Sequence, residues 1–226
     1  MIRVLDILIS LSAIIVLSPL FIVLVFLLKF SGEGEIFYFQ NRVGIQTSTF
    51  KLIKFATMLK DSSSFATKEI TVKDDPRILP LGKILRKTKI NELPQLFNIF
   101  IGDMSLVGPR PLALSGYEKY PERQKKDIQK IKPGLSGLAS LILRNEEEIL
   151  SYSSSPIDFH SNILTPFKGE IEIWFSERHS IANYFKIIFL TIWIVVFSKS
   201  NILEKVYTKR PKMPQELKDI MQKIQK

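Results

Sequence analysis

The chain has 226 residues, of which 32 are Lys or Arg and 22 are Asp or Glu, so its formal net charge is +10. With no cysteine and only two histidines, the composition excludes disulfides, iron–sulfur clusters and thiol nucleophiles, and it argues against a structural zinc site. A bound metal ion would therefore be a hard cation such as Mg²⁺, and the basic balance predicts an anionic partner: nucleic acid, acidic lipid or a phosphorylated small molecule.

The N-terminal segment is strongly apolar. Of the first 30 residues 23 are hydrophobic, and the 22 residues of 7–28 carry no charge. As one helix at 1.5 Å per residue, this uncharged stretch would be about 33 Å long, which is enough to cross a bilayer. It is too long for the apolar core of a signal peptide, and no small-residue cleavage site follows it. We therefore predict a membrane element over 1–30.

Ser18 and Pro19 interrupt this apolar segment near its middle. Pro19 has no N–H, and its ring clashes with the carbonyl of Ile15, so the helix should kink or break there. The Ser18 hydroxyl could supply the hydrogen bond that this carbonyl loses. Two arrangements stay open: a kinked single span, and a helix–break–helix that enters and leaves the membrane by the same face. Because Pro is common in ordinary spanning helices, the residues by themselves favour the span.

The chain after residue 30 is expected on the cytoplasmic face, since basic flanks stay there and anionic lipid attracts them. Its predicted segments are strands at 35–39 and 50–55, a surface loop at 61–76, and helices at 81–87 and 91–101. Asn91 is among the best N-cap residues, and Gly102 would end the second helix. Glu92 would then lie at the positive end of the helix dipole.

The second half of the chain is predicted to be helical and basic in part. A basic helix is expected over 121–132, and 146–168 is predicted to be rich in loops. Residues 181–197 should form an apolar helix whose uncharged part is too short to span a bilayer, so it is buried or interfacial. The tail at 201–226 is predicted to be charged and partly helical.

Residues 74–111 hold the densest group of chemically useful side chains. Four basic residues precede the predicted helix start at Asn91: Lys83, Arg86, Lys87 and Lys89. A rigid Gly-Pro-Arg-Pro turn then presents Arg110. Basic side chains beside a helix start favour phosphate, whereas the Glu92 carboxylate would repel phosphate unless it reacts with it or holds Mg²⁺.

Simpler interpretations of these residues stay open. Asn91 could act only as a helix cap, and the basic face could contact only solvent or lipid headgroups. Nucleic acid fits the charge, but the sequence has none of the usual nucleic-acid-binding signatures, so no nucleic-acid partner is expected.

The most specific segments are Ser18-Pro19, Asn41-Arg-Val-Gly44, Lys54-Phe55 with Thr57-Met58, Asp74-Asp-Pro-Arg77, Leu85-Arg-Lys-Thr88, Glu92-Leu-Pro-Gln95, Gly102-Asp-Met-Ser-Leu-Val-Gly-Pro-Arg-Pro111 and Pro133-Gly-Leu-Ser-Gly137. With these segments the chain resembles the bacterial sugar transferases, the small monotopic phosphoglycosyl transferases that start glycan assembly on a polyprenol carrier. The resemblance covers the chain to about residue 200, and 85–111 is its most specific part.

The resemblance implies transfer of a sugar-1-phosphate from a UDP-sugar to polyprenol phosphate (undecaprenyl phosphate), with release of UMP and a requirement for Mg²⁺. It places the enzyme at the cytoplasmic face of the bacterial inner membrane, in contact with anionic lipid. It also implies the re-entrant helix–break–helix at Ser18-Pro19 in place of the span. A homo-oligomer stays open.

The implied fold class is α+β. A re-entrant membrane helix at 1–30 precedes a small, mainly helical catalytic domain at 31–200, which has a short β element and interfacial amphipathic helices. The basic tail at 201–226 follows.

The sequence departs from the family at the catalytic pair. In the family an Asp-Glu pair opens the active-site helix, and the Asp attacks the sugar-bearing phosphate. Here the pair reads Asn91-Glu92, and an amide is a very poor nucleophile. Three alternatives stay open. Glu92 attacks the phosphate in place of the Asp, or the sugar-1-phosphate passes directly to the acceptor. In the third alternative, the chain is a catalytically silent adaptor. We assign Glu92 as the catalytic or metal-holding carboxylate, and the phosphate-binding candidates are Lys54, Arg86 and Arg110.

Overall fold

The structure is a computed structural model that describes residues 1–60, 75–197, 200 and 202–225. The elements in chain order are α1 (Ile2–Lys29), β1 (Phe37–Val43), a 3₁₀ turn (Ile45–Thr47), β2 (Thr49–Phe55), α2 (Pro80–Lys87), a 3₁₀ turn (Ile90–Glu92), α3 (Gln95–Ile101), β3 (Ser105–Val107), α4 (Leu114–Glu118), α5 (Glu122–Ile128), β4 (Gly134–Ser136), α6 (Leu138–Ile142), α7 (Glu146–Ser151), α8 (Pro156–Phe159), a π-helical turn (His160–Leu164), α9 (Thr165–Ser176), α10 (Ile181–Val196), α11 (Ile202–Val206) and α12 (Gln215–Gln225). Helices with short two-stranded sheets confirm the predicted α+β class.

The described residues divide into two compact units. Unit 1 comprises the described residues of 1–41 and 50–104, and unit 2 comprises those of 42–49 and 105–226. The domain boundaries expected at residues 30 and 200 stay predictions. Most of the surface loop predicted at 61–76 lies outside the described residues.

In unit 1, helix α1 runs without interruption through Pro19. The Ser18 Oγ donates a hydrogen bond to the Ile15 carbonyl at 2.8 Å. This is the carbonyl that Pro19 leaves without its usual N–H partner, so the expected role of the Ser18 hydroxyl is confirmed. Helical geometry therefore continues through the expected break point.

The apolar surface of α1 is largely exposed. By length and composition α1 could cross a membrane, a test that the core helix of a soluble protein would also pass. A core helix, however, would bury its apolar side chains, whereas Val16, Ile22 and Phe26 are all more than half exposed. Such a surface requires a nonaqueous environment, which supports membrane association.

The C-terminal half of α1 packs on the rest of unit 1. Leu24 and Leu28 form a buried cluster with Phe55 of β2 and Leu85 of α2. The ring of Phe21 meets that of Phe55 edge-on, with centroids 5.7 Å apart. The apolar helix is thereby joined to the elements that carry the candidate site.

Four predicted elements in the first 104 residues are present, some of them with shifted ends. The second strand and the helix at 81–87 are confirmed, with α2 starting at Pro80, a residue that suits a first helical turn. The first strand begins two residues later than predicted and extends to Val43. Helix α3 ends at Gly102, as predicted, and this glycine has a φ of +107°, a left-handed conformation that glycine adopts without strain.

Unit 2 is built on a parallel pair of short strands. Ser105 pairs with Gly134, and Val107 with Ser136. A Cβ added to Gly134 would lie 2.1 Å from the backbone nitrogen of Gly108, so this close approach requires glycine. Helix α10 confirms the apolar helix predicted at 181–197, and its Thr191 hydroxyl bonds to that of Ser136 at 2.7 Å.

The prediction of a loop-rich segment at 146–168 is wrong. The segment contains α7, α8, the π-helical turn and the start of α9. Each piece is too short to be stable alone, and buried side chains such as Ile149, Phe159 and Leu164 hold it by tertiary packing. The basic helix predicted over 121–132 is also shorter than expected, because α5 ends at Ile128.

Candidate active site

Two of the predicted site residues meet in unit 1. Lys54 lies on β2 and Glu92 in the 3₁₀ turn before α3, and the Lys54 Nζ is 3.2 Å from the Glu92 Oε1. Their side chains are only 16% and 14% exposed. Partial burial reduces screening by water, so this salt bridge is stronger than one on an open surface. The structure therefore places a cation and a carboxylate together where the sequence predicted phosphate chemistry.

The prediction that Asn91 caps the helix is wrong. It lies in the middle of the 3₁₀ turn, and Pro94 occupies the N-cap position of α3. Its side chain is buried, and among the described residues its Oδ1 has no hydrogen-bond partner. A buried acceptor without a partner costs free energy, so it is common mainly where a ligand or water completes it. The turn thus holds an amide oxygen next in sequence to Glu92.

Arg86 lies in the last turn of α2, where its charge also suits the negative end of the helix dipole. The chain then reverses at Lys89, whose φ of +60° is in the left-handed region. The Glu92 N–H donates to the Lys89 carbonyl at 3.1 Å, which closes the turn. This turn joins the end of α2 to Glu92.

A buried ion pair with no predicted role lies near these elements. The Arg77 Nη2 is 2.6 Å from the Asp75 Oδ2, and both side chains are almost fully buried. The hydrogen bonds from the Arg77 side chain hold the pKa of Asp75 below its ordinary value, and the charge of Arg86 adds to this effect. The Asp-Pro-Arg segment was the only sequence signal of the pair.

Arg110 belongs to unit 2, so its predicted grouping with Glu92 stays a prediction. It is exposed on a turn that is held from both sides. The Arg42 Nη1 donates to the Pro111 carbonyl at 3.2 Å, and the Gly134 N–H donates to the Pro109 carbonyl at 2.8 Å. Arg110 also lines a small pocket in unit 2 with Tyr117. The turn therefore presents this cation from a backbone that hydrogen bonds hold at Pro109 and Pro111.

The oxygen donors of the site suit a metal ion that takes some of its ligands from the protein and the others from a bound phosphate. Among the described residues, no group of three or more His, Asp or Glu side chains is placed to hold a metal. Mg²⁺ in phosphoryl-transfer sites usually takes one or two carboxylates and completes its shell with phosphate oxygens and water. The Glu92 carboxylate fits that smaller protein contribution.

Sequence comparison identifies the class of protein to which this α+β chain belongs. The chain matches the family model of bacterial sugar transferases over residues 1–198, so it belongs to that family, and the resemblance is confirmed.

Individual relatives carry more specific names. The exopolysaccharide production protein ExoY of Sinorhizobium fredii is 40% identical over 155 residues, which are 62% of this chain and 68% of that protein. The UDP-glucose:undecaprenyl-phosphate glucose-1-phosphate transferase of Klebsiella pneumoniae is 32% identical over 198 residues. The undecaprenyl-phosphate galactose phosphotransferase of Salmonella typhimurium is 31% identical over 208 residues. The last two matches cover 86% of this chain but only 40% of each relative.

Proposed function

We propose that this protein transfers a sugar-1-phosphate from a UDP-sugar to undecaprenyl phosphate and releases UMP, as the initiating step of surface glycan assembly. The observation that carries the proposal is the salt bridge between Lys54 and Glu92 beside the buried Asn91 oxygen, in a chain of this family. The names of the Klebsiella and Salmonella relatives support the undecaprenyl phosphate acceptor, and the former supports the UDP-sugar donor.

The proposed roles follow from charge and position. Lys54 neutralises a phosphate oxygen beside Glu92, and Arg86 supplies further positive charge to the diphosphate. Arg110 is the phosphate-binding candidate of unit 2. Mg²⁺ would be held by Glu92, where it would neutralise diphosphate charge. Undecaprenyl phosphate and anionic lipid are the membrane partners.

Two routes are compatible with Glu92. In the first, a carboxylate oxygen bonds to the sugar-bearing phosphorus as the bond to UMP breaks, and undecaprenyl phosphate then displaces the glutamate. In the second, the acceptor phosphate attacks the donor directly while Lys54 and Glu92 keep the reactants in place. Asn91 favours a second candidate function, a catalytically silent adaptor that binds a nucleotide sugar or an assembly partner, because the family's Asp is missing there.

The deciding experiment measures UMP release from a panel of UDP-sugars with undecaprenyl phosphate. We expect turnover by the wild type, a loss of at least about 100-fold in Glu92→Gln, and full activity in Glu122→Gln, an exposed carboxylate of unit 2. Acid quenching with a phosphorus-labelled donor separates the two routes, since only the first leaves label on the protein. Turnover in Asn91→Asp but none in the wild type would refute the enzyme and favour the adaptor.

For the membrane, we propose that α1 enters and leaves the bilayer on the cytoplasmic face. Two contacts with α3 support this. The Arg3 side chain donates to the carbonyls of Ile99 and Phe100, and the rings of Phe21 and Phe97 lie 6.0 Å apart. A straight helix would separate Arg3 from Phe21 by about 27 Å, yet the contacted residues lie within one turn of α3. This favours a bend in α1, and Pro19 is the residue in α1 most suited to one.

Because the natural chain has no cysteine, single introduced cysteines can report the topology. We expect that a membrane-impermeant thiol reagent labels neither a cysteine inserted after Met1 nor Glu216→Cys in intact cells, and that it labels both after permeabilisation. Labelling of the N-terminal cysteine alone in intact cells would contradict re-entry and indicate a span.

A further inference from the structure

One fully buried side chain, Asn98, joins α3 to β2. Its Oδ1 accepts a hydrogen bond from the Ile53 N–H at 3.0 Å, and its Nδ2 donates to the Lys51 carbonyl at 2.8 Å. The carboxamide therefore satisfies a donor and an acceptor of β2, as the backbone of a neighbouring strand would. The same Nδ2 lies 3.3 Å from the Asp103 Oδ2, a weaker contact.

These bonds connect the two elements of the candidate site, β2 with Lys54 and α3 with the preceding turn that holds Glu92. Ile53 directly precedes Lys54 on β2, and Glu92 lies in the turn that leads into α3. The Asn98 carbonyl also accepts from the N–H groups of Gly102 and Met104, which fixes the end of α3. A displacement of α3 along β2 would therefore change the distance between Lys54 and Glu92.

We propose that Asn98 is a positioning residue that holds Lys54 and Glu92 at bonding distance by fixing β2 against α3. Its effect on catalysis rests on the proposed function, whereas its effect on geometry does not. Phosphoryl transfer depends on the placement of charged groups, and a misplacement of 1 Å can cost about 100-fold in rate. Loss of the Asn98 bonds should therefore lower kcat more than it raises the KM for the nucleotide sugar.

The geometry can be measured without the reaction, because the natural chain has no cysteine. In a Lys54→Cys/Glu92→Cys protein, bis-methanethiosulfonate reagents of increasing length report how far apart the two positions are. With Asn98 present, we expect the shortest reagent to bridge the pair. With Asn98→Asp, which removes the donor to the Lys51 carbonyl, bridging should slow with the shortest reagent and require a longer one. Asn98→Ser, which removes both strand bonds without adding charge, is the second variant should Asn98→Asp not fold.

Two further variants separate positioning from general stability. Gln124→Glu makes the same amide-to-acid change at a buried residue of unit 2, whose Nε2 donates to the Pro166 carbonyl at 3.0 Å. It should lower the Tm but leave the bridging pattern unchanged. Asn98→Asp/Asp103→Asn restores a hydrogen bond between these two side chains but not the bond to β2, so we expect it to stay defective.

The outcomes distinguish this proposal from the proposed function. Unchanged bridging in Asn98→Asp and Asn98→Ser, or recovery in the double variant, would overturn the positioning role whether or not the protein is active. Altered bridging together with a wild type that releases no UMP would uphold the role of Asn98 in the geometry and refute the proposed function. In the otherwise natural chain, a fall of about 10- to 100-fold in kcat for Asn98→Asp is the expected catalytic result.

Discussion

Two buried carboxyl groups, Asp75 of unit 1 and Glu172 of unit 2, have pKa values shifted in opposite directions. In unit 1, Asp75 meets Arg77, whose hydrogen bonds keep the Asp75 pKa low. In unit 2, Glu172 is only 4% exposed, its Oε2 has no hydrogen-bond partner among the described residues, and burial raises its pKa to about 8. Burial alone therefore favours the neutral acid, and an adjacent cation reverses that preference. A site for phosphate chemistry needs a carboxylate with an adjacent cation. Glu92 has this arrangement, because the Lys54 Nζ lies 3.2 Å from its Oε1.

The surroundings of Glu172 explain its pKa. It lies on α9 and accepts a hydrogen bond from the Ala139 N–H, and this bond does not outweigh the loss of water. Burial also raises the pKa of nearby Tyr120, with smaller effects from Glu172 and Glu146. Glu146 provides the contrast within unit 2. Burial raises its pKa, but Lys168 and His160 more than offset this and bring it to about 2. The charged groups next to a buried carboxyl, and not the unit in which it lies, decide the direction of its pKa shift.

The largest effect on stability should come from removing the Arg77 guanidinium, which pairs with Asp75 in unit 1. Arg77→Met leaves the Asp75 carboxylate buried and unpaired, so we expect the free energy of unfolding to fall by about 3–5 kcal/mol. Urea unfolding in detergent at pH 7, followed by circular dichroism, measures this. The Asp75→Asn/Arg77→Met double variant has no unpaired charge and should lose less. An equal loss in both variants would show that the charge pairing is not what matters.

A smaller effect of opposite sign is expected from Glu172→Gln. The Glu172 carboxyl ionises near its ordinary value of 4.5 in the unfolded chain but near 8 in the folded protein. The stability from this group is therefore full below pH 4.5 and is lost as the pH rises towards 8. Glu172→Gln removes that loss, so its advantage over the wild type should grow by roughly 1–3 kcal/mol between pH 5 and pH 8.

Urea unfolding at both pH values tests this prediction. Glu170→Gln, on the exposed side of the same helix, is the matched control. If Glu170→Gln gains as much as Glu172→Gln between pH 5 and pH 8, or if Glu172→Gln gains nothing, burial of Glu172 is not the cause.

The sequence predicted those elements whose signals are local. Pro80 and Gly102 mark helix ends through backbone preferences of single residues, and both the start of α2 and the end of α3 are close to prediction. The prediction failed where a local signal competed with packing. Asn91 has the chemistry of an N-cap but lies buried inside a 3₁₀ turn. Of the short helices in 146–168, α7 contacts α12, which lies far along the chain.

By itself, the sequence determined the apolar helix, the family and the identity of the candidate site residues, because composition and short segments carry that information. Only the tertiary structure decided that Lys54 meets Glu92, 38 residues away, and that Asn98 bonds to Ile53, 45 residues away. It also decided that Arg77 neutralises Asp75, whereas the charge of Lys168 does not offset the burial of Glu172. Distances between residues remote in sequence, and the water excluded around them, arise only when the chain packs, and they set which carboxyl groups stay charged.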